Sequence, residues 1–103
     1  MAITSYRMYL WGRCGRCVEN FRTPLITHGS VVHISASEAT AIPPQSFTPQ
    51  FDRFVGAANV SVLNVAPSEG RVDFVVQVDW PTPLSIAMDI TIMDPPAEVI
   101  VGV

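Results

Sequence analysis

The sequence predicts an all-β fold, an antiparallel β-sandwich or small barrel of about six strands that ends in a C-terminal meander. Three observations predict it. From Arg71 to Asp94, two runs place apolar residues on every second position: Val72, Phe74, Val76, Val78 and Trp80, then Leu84, Ile86, Met88, Ile90 and Ile92. That is the two-residue period of a half-buried strand. Proline and glycine clusters cut the rest of the chain into short β-prone segments. No segment between them has the length and spacing of a helical crossover. An α+β sheet with one short helix near 49–58 is the alternative.

At 103 residues the chain has room for one domain, residues 1–103, and one core. Ile3 to Trp11 holds β-branched and aromatic residues without Gly or Pro. Its Thr4, Tyr6, Met8 and Leu10 are expected to face the core, with Ile3, Ser5, Arg7, Tyr9 and Trp11 outward. The strand should end at Gly12. Cys17 to Arg22 is expected to make a helical turn limited by Pro24. Ser30 to Ser37 reads as a second strand. Ser35 and Glu38 have capping-box spacing for one turn of helix around 36–41, stopped by Pro43 and Pro44. Residues 43–50 read as an irregular surface connection.

Thr48 and Pro49 resemble a helix start, but Gly56 and its β-branched neighbours favour a strand from about Arg53 to Ala66. Pro67-Ser68-Glu69-Gly70 is a turn, because proline presets its first position and glycine accepts the left-handed one. A four-residue loop there would pair Ala66 with Arg71, Val65 with Val72 and Leu63 with Phe74, and would set Val60 and Val62 beside Val75 on the opposite face. Folding the two long runs back about Thr82 would pair Val72 with Ile92, Phe74 with Ile90 and Val76 with Met88 as one hairpin. Pro95 and Pro96 end that run, and Ala97 to Val103 is expected to add a final short strand.

Charge is sparse, with no lysine. Residues 1–22 carry four arginines against Glu19, a net of +3, and the remainder carries −6. A basic arm on an acidic body admits an anionic ligand, nucleic acid or the acidic face of a sister subunit as partner. MAITSYRMYLWGRC has no secretory signal, and no apolar run approaches the roughly 20 residues that span a bilayer. A cytoplasmic protein with reduced thiols and no membrane partner is therefore expected.

The outward row of the first strand, Arg7, Tyr9 and Trp11, followed by Arg13, is the candidate ligand-binding surface. Guanidinium groups and aromatic rings in alternation stack on flat ligands while the charge meets an anion. Cys14-Gly15-Arg16-Cys17 is the most distinctive local motif. With Phe21, Leu25, His28 and His33 it makes C-x2-C-x3-F-x3-L-x2-H-x4-H, which is similar to the spacing of a two-cysteine, two-histidine zinc finger, with ten residues where twelve are usual. The resemblance covers about 20 residues and implies zinc held by Cys14, Cys17, His28 and His33. Against it, the finger places both histidines on one helix, whereas Pro24, Gly29 and the Val31-Val32 pair make this segment a better strand. No other cofactor is implied.

The carboxylates read as solubilising groups, and neither a phosphate loop nor a nucleophile elbow is present. The expected function is a non-enzymatic module that self-associates as a homo-oligomer, because Val60, Val62 and Val75 on one face, and Val99-Ile100-Val101, exceed what one small core needs. The alternatives are a module binding a small anionic or aromatic ligand through Arg7, Tyr9, Trp11 and Arg13, with nucleic acid less favoured, and a small enzyme with His28 or His33 beside a pocket between the sheets.

Overall fold

A computed structural model of the chain describes residues 3–40 and 53–102. Among these residues there is no helix. Seven strands run β1 (Ile3–Arg13), β2 (Gly15–Arg22), β3 (Val31–Ala39), β4 (Arg53–Phe54), β5 (Asn59–Ser68), β6 (Arg71–Asp79) and β7 (Leu84–Met93). They form two antiparallel sheets, one ordered β1-β7-β3-β4 and the other β2-β6-β5. The all-β sandwich expected from the sequence is the fold observed.

The long C-terminal hairpin is not. Strand β6 lies at the centre of the three-stranded sheet, flanked by β2 and β5, and β7 lies between β1 and β3 in the other. The alternation was legible, and both inner rows are buried: Val72, Phe74, Val76 and Val78 from β6, Ile86, Met88, Ile90 and Ile92 from β7. They meet face to face across the sandwich rather than side by side along a ladder. Pro81 and Pro83 supply the reason. Each fixes φ near −65° and lacks an N–H, so Trp80–Pro83 carries the chain from one sheet to the other instead of closing a tight turn.

Strand β1 behaves as expected. Leu10 is buried and Tyr6 and Met8 are packed against the core, while Ile3 and Trp11 are exposed. Cys17 to Arg22 is a strand, not a helical turn, and it alternates inward and outward residue by residue. Only Cys14 separates β1 from β2, and the switch is flanked by Gly12 at φ 64° and Gly15 at φ 72°. Both are left-handed, which glycine adopts without a Cβ clash. The capping-box turn does not form over the described residues, since β3 runs straight through Ser35 and Glu38 to Ala39. The connection at 43–50 and the start of the helix considered for 49–58 lie outside the described residues. Its described part is β4 and a non-strand link, so the single strand expected over 53–66 is two, β4 and β5.

The β5–β6 hairpin forms with another register. Ser68 pairs with Arg71, Pro67 with Val72 and Ala66 with Asp73, leaving a two-residue turn at Glu69-Gly70. A bulge follows: the ladder shifts between Leu63 and Ala66, and Asn64 sits at φ 55°. The extra residue reverses which side chains point inward. Val60, Val62 and Val65 therefore pack on the core, and Leu63 stands outside beside Val75. The face of Val60, Val62 and Val75 expected from the sequence does not exist. Between β2 and β3, Ile26 plugs one end of the sandwich, held by hydrogen bonds from Thr23 N to Gly70 O (3.1 Å) and from Gly70 N to Ile26 O (2.8 Å).

Ala97 to Val101 is not a strand. Beyond Pro95-Pro96 it pairs with no strand among the described residues, and Val99, Ile100 and Val101 are 78%, 84% and 84% exposed.

Candidate functional site

The outer face of the four-stranded sheet gathers most of the expected binding residues. Antiparallel register sets Arg7 of β1 against Asp89 of β7, and Asp89 against Ser35 of β3. The Arg7 guanidinium grips the Asp89 carboxylate through both oxygens, Nε to Oδ1 at 2.7 Å and Nη2 to Oδ2 at 3.2 Å. Such paired N–H donors match carboxylate geometry. From β4, Arg53 donates to Asp89 Oδ2 and, at 2.9 Å, to Ser37 Oγ. One carboxylate thus lies between two guanidinium groups. The hydrogen bond from Arg7 and the charges of both arginines hold Asp89 below the ordinary carboxylate pKa, against the upward effect of its partial burial. Arg7 is correspondingly raised, chiefly by its bond to Asp89.

Two residues along β1, Tyr9 and Trp11 stand on the same face with ring centroids 6.3 Å apart and planes 14° from parallel. Together with Arg7 they form a continuous aromatic and cationic strip. Arg13 does not join it. The β1 ladder shifts between Leu10 and Arg13 around Gly12, and this turns Arg13 toward Glu19. There it also donates to the Trp11 carbonyl at 2.6 Å. Glu19 accounts for the raised pKa of Arg13 through their hydrogen bond. Three of the four expected ligand-binding residues are brought together, and the fourth closes an ion pair at the corner between the sheets. Asp89 and Arg53 are members that the sequence reading missed. The only available signal was the position of Asp89 on the polar side of an otherwise apolar run.

The zinc set is taken apart. Cys14 and Cys17 lie at the β1–β2 corner, and both thiols are free. The Cys14 Sγ is 3.0 Å from the Trp80 carbonyl, and the Cys17 Sγ is 3.4 Å from the Cys14 carbonyl. His28 lies past the other end of β2, whose stretch from Cys17 to Arg22 alone spans roughly 17 Å at about 3.3 Å per strand residue. His33 is on the outer face of the other sheet, opposite Thr91. Among the described residues no three His, Cys, Asp or Glu side chains form a group that could hold a metal ion. These residues do not fit the zinc ligation that the spacing implied, because β2 is a strand that carries its ends apart.

His28 has a different partner. Its Nδ1 lies 2.5 Å from Glu69 Oε1, and its backbone N–H donates to the same oxygen at 3.2 Å. The pair ties the β2–β3 loop to the β5–β6 turn on the surface. Both histidines are outside the sandwich, so neither faces a space between the sheets.

A second feature is the C-terminal segment. Three consecutive β-branched residues stand in solvent with their side chains almost fully accessible. Backbone N–H and C=O groups in such a segment, with no ladder partner, are complementary to any sheet edge that is also unpaired. No helix among the described residues is long and apolar enough to cross a membrane. Comparison of the chain with known protein families, with curated proteins and with solved structures found no match.

Proposed function

We propose that this chain is a non-enzymatic β-sandwich module that self-associates. The observation that carries the reading is the exposed run Val99-Ile100-Val101, a β-prone strand sequence left without a sheet. Apolar surface of this kind is usually covered by a partner. Pro95 and Pro96 favour an intermolecular partner, since two fixed φ angles and a missing N–H in each keep the chain from continuing β7 or turning tightly back. The free thiols of Cys14 and Cys17 fit a reducing compartment, consistent with a cytoplasmic home. Sedimentation velocity over a hundredfold range of protein concentration is expected to show a shift from monomer to a larger species. A single monomeric boundary at the highest concentration overturns the reading.

A second reading is favoured by the strip of Arg7, Tyr9 and Trp11. Near-parallel rings beside a guanidinium group suit a small ligand that is both flat and anionic. Because Arg7 and Arg53 share Asp89, the cluster offers only one net positive charge. That favours a small ligand over nucleic acid, where many phosphates are met at once. Titration of an anion with a flat ring, such as a nucleoside monophosphate, is expected to quench Trp fluorescence, with an affinity weakened by Trp11→Ala. Unchanged fluorescence at millimolar ligand removes this reading.

A further inference from the structure

The sandwich has four sheet edges, and they are not equivalent. Strand β4 is two residues long. Strand β5 is blunted by the bulge at Asn64 and by Pro67, and its flank packs beside β3. Strand β2 has eight residues, of which Arg16, Glu19 and Arg22 are charged. Short length, bulges, prolines and charges are the devices that keep an edge from pairing. From Ile3 to Leu10, strand β1 has no proline or bulge and carries a single charge. That stretch pairs with β7 on one side in unbroken register, and its other side has no strand beside it among the described residues. Its one charge, Arg7, is drawn across the sheet to Asp89 rather than out over the edge.

We infer that the open edge of β1 receives the Ala97–Val101 segment of a second copy of this chain, which adds to the sheet as a further strand. This rests on the self-association proposed above and names its acceptor. The face pattern agrees. Glu98 and Ile100 alternate with Ala97, Val99 and Val101. With Glu98 on the outer face, its carboxylate lies along the row that carries Arg7, the strand's outward cation. Val99 and Val101 then fall on the inner side, where Tyr6 and Met8 are only partly covered by their own chain. The reverse phase would set Glu98 against the core, so the charge selects which tail residues face inward. Main-chain hydrogen bonds supply the attraction and the alternate side chains supply the choice of edge, as in other strand-addition complexes.

The test is backbone amide hydrogen exchange, read by mass spectrometry on the full chain at low and high concentration and on a chain ending at Pro96. The full chain is expected to slow exchange in Ile3–Leu10 at least tenfold at high concentration, and the shortened chain to show no such change. Glu98→Arg, on a segment that does not contribute to the core, is expected to weaken association roughly two- to fivefold. Association with the new protection on β2 or β5, or protection of β1 that survives removal of the tail, overturns the β1 acceptor while self-association stands. A full chain that stays monomeric at every concentration overturns both.

Discussion

Asp89 shows what a single side chain does in this fold. Two cations share its carboxylate, and its pKa is lowered first by the hydrogen bond from Arg7. A carboxylate whose folded pKa lies below its unfolded one stabilises the fold fully above the unfolded value, about pH 4, and loses that contribution as acid takes the pH down through the folded value. Asp89→Asn is therefore expected to cost about 1 kcal/mol at neutral pH, since a partly exposed pair is worth little but its loss leaves two guanidinium groups facing each other. Urea unfolding at pH 7 and pH 3 checks this: the difference from the unaltered chain should be present at the first and shrink at the second. At this scale the sequence was partly legible. The outward row of Arg7, Tyr9 and Trp11 followed from alternation alone. Arg53 on Asp89 did not, because that contact depends on β4 lying next to β3, and nothing in the local pattern near Arg53 announces a two-residue edge strand. Arg13 was misplaced for an equally local reason: Gly12 inserts a bulge that reverses the facing of the next residue. Glu19 faces inward with its charge met by Arg13, so the β2 alternation lacked the apolar signature by which a strand is read.

Elements were legible by type wherever apolar alternation was strong, and their partners were not. An apolar row on β6 and another on β7 satisfy one another equally well as neighbours in a sheet or as opposed faces of a sandwich, so periodicity cannot choose between the two arrangements. The connecting prolines can, and they carried the missing information. Strand β5 gives the corresponding lesson about register. Its bulge at Asn64 has no strong local sign beyond an asparagine, a residue that tolerates φ near +55°. Substitution tests that assignment. Asn64→Val, which brings a β-branched side chain to a left-handed position, is expected to destabilise by about 1–2 kcal/mol, while Asn64→Gly should stay within about 0.5 kcal/mol of the unaltered chain. The midpoints of denaturant unfolding separate the two. If both substitutions cost the same, the bulge is not where the ladder shifts, and Val60 and Val62 lose their reason for facing inward. The C-terminal segment was expected to form a final short strand, and over its described residues it forms none. Strand propensity measures fitness for a pleated, half-buried surface, and among the described residues no neighbouring strand gives Val99–Val101 such a surface.

On the scale of the whole molecule, the two sheets share one core rather than owning one each. Phe74 of the three-stranded sheet and Met88 and Ile90 of the four-stranded sheet belong to a single buried cluster, with Ile26 closing one end and no hydrophilic layer between. Neither sheet has a second apolar face of comparable burial against which to stand alone. Over the described residues the chain also crosses between the sheets four times, at Gly12–Gly15, in the Thr23–Ser30 loop, over 55–58 and at Trp80–Pro83, so separating the sheets requires pulling on every one of these connections. Unfolding should therefore be a single cooperative event. Phe74→Ala is expected to remove about 3–5 kcal/mol, the range for deleting a buried aromatic side chain from a close-packed interior. In a shared core that loss must appear equally in both sheets. Native-state hydrogen exchange should show the slowest amides of β7, around Met88 and Ile90, losing the same protection as those of β6 around Val76, although Phe74 lies on β6. A loss confined to β2, β5 and β6 would mean that the four-stranded sheet holds itself together independently. That outcome would contradict the face-to-face packing of β6 on β7 from which the outward placement of Arg7, Tyr9, Trp11 and Asp89 follows.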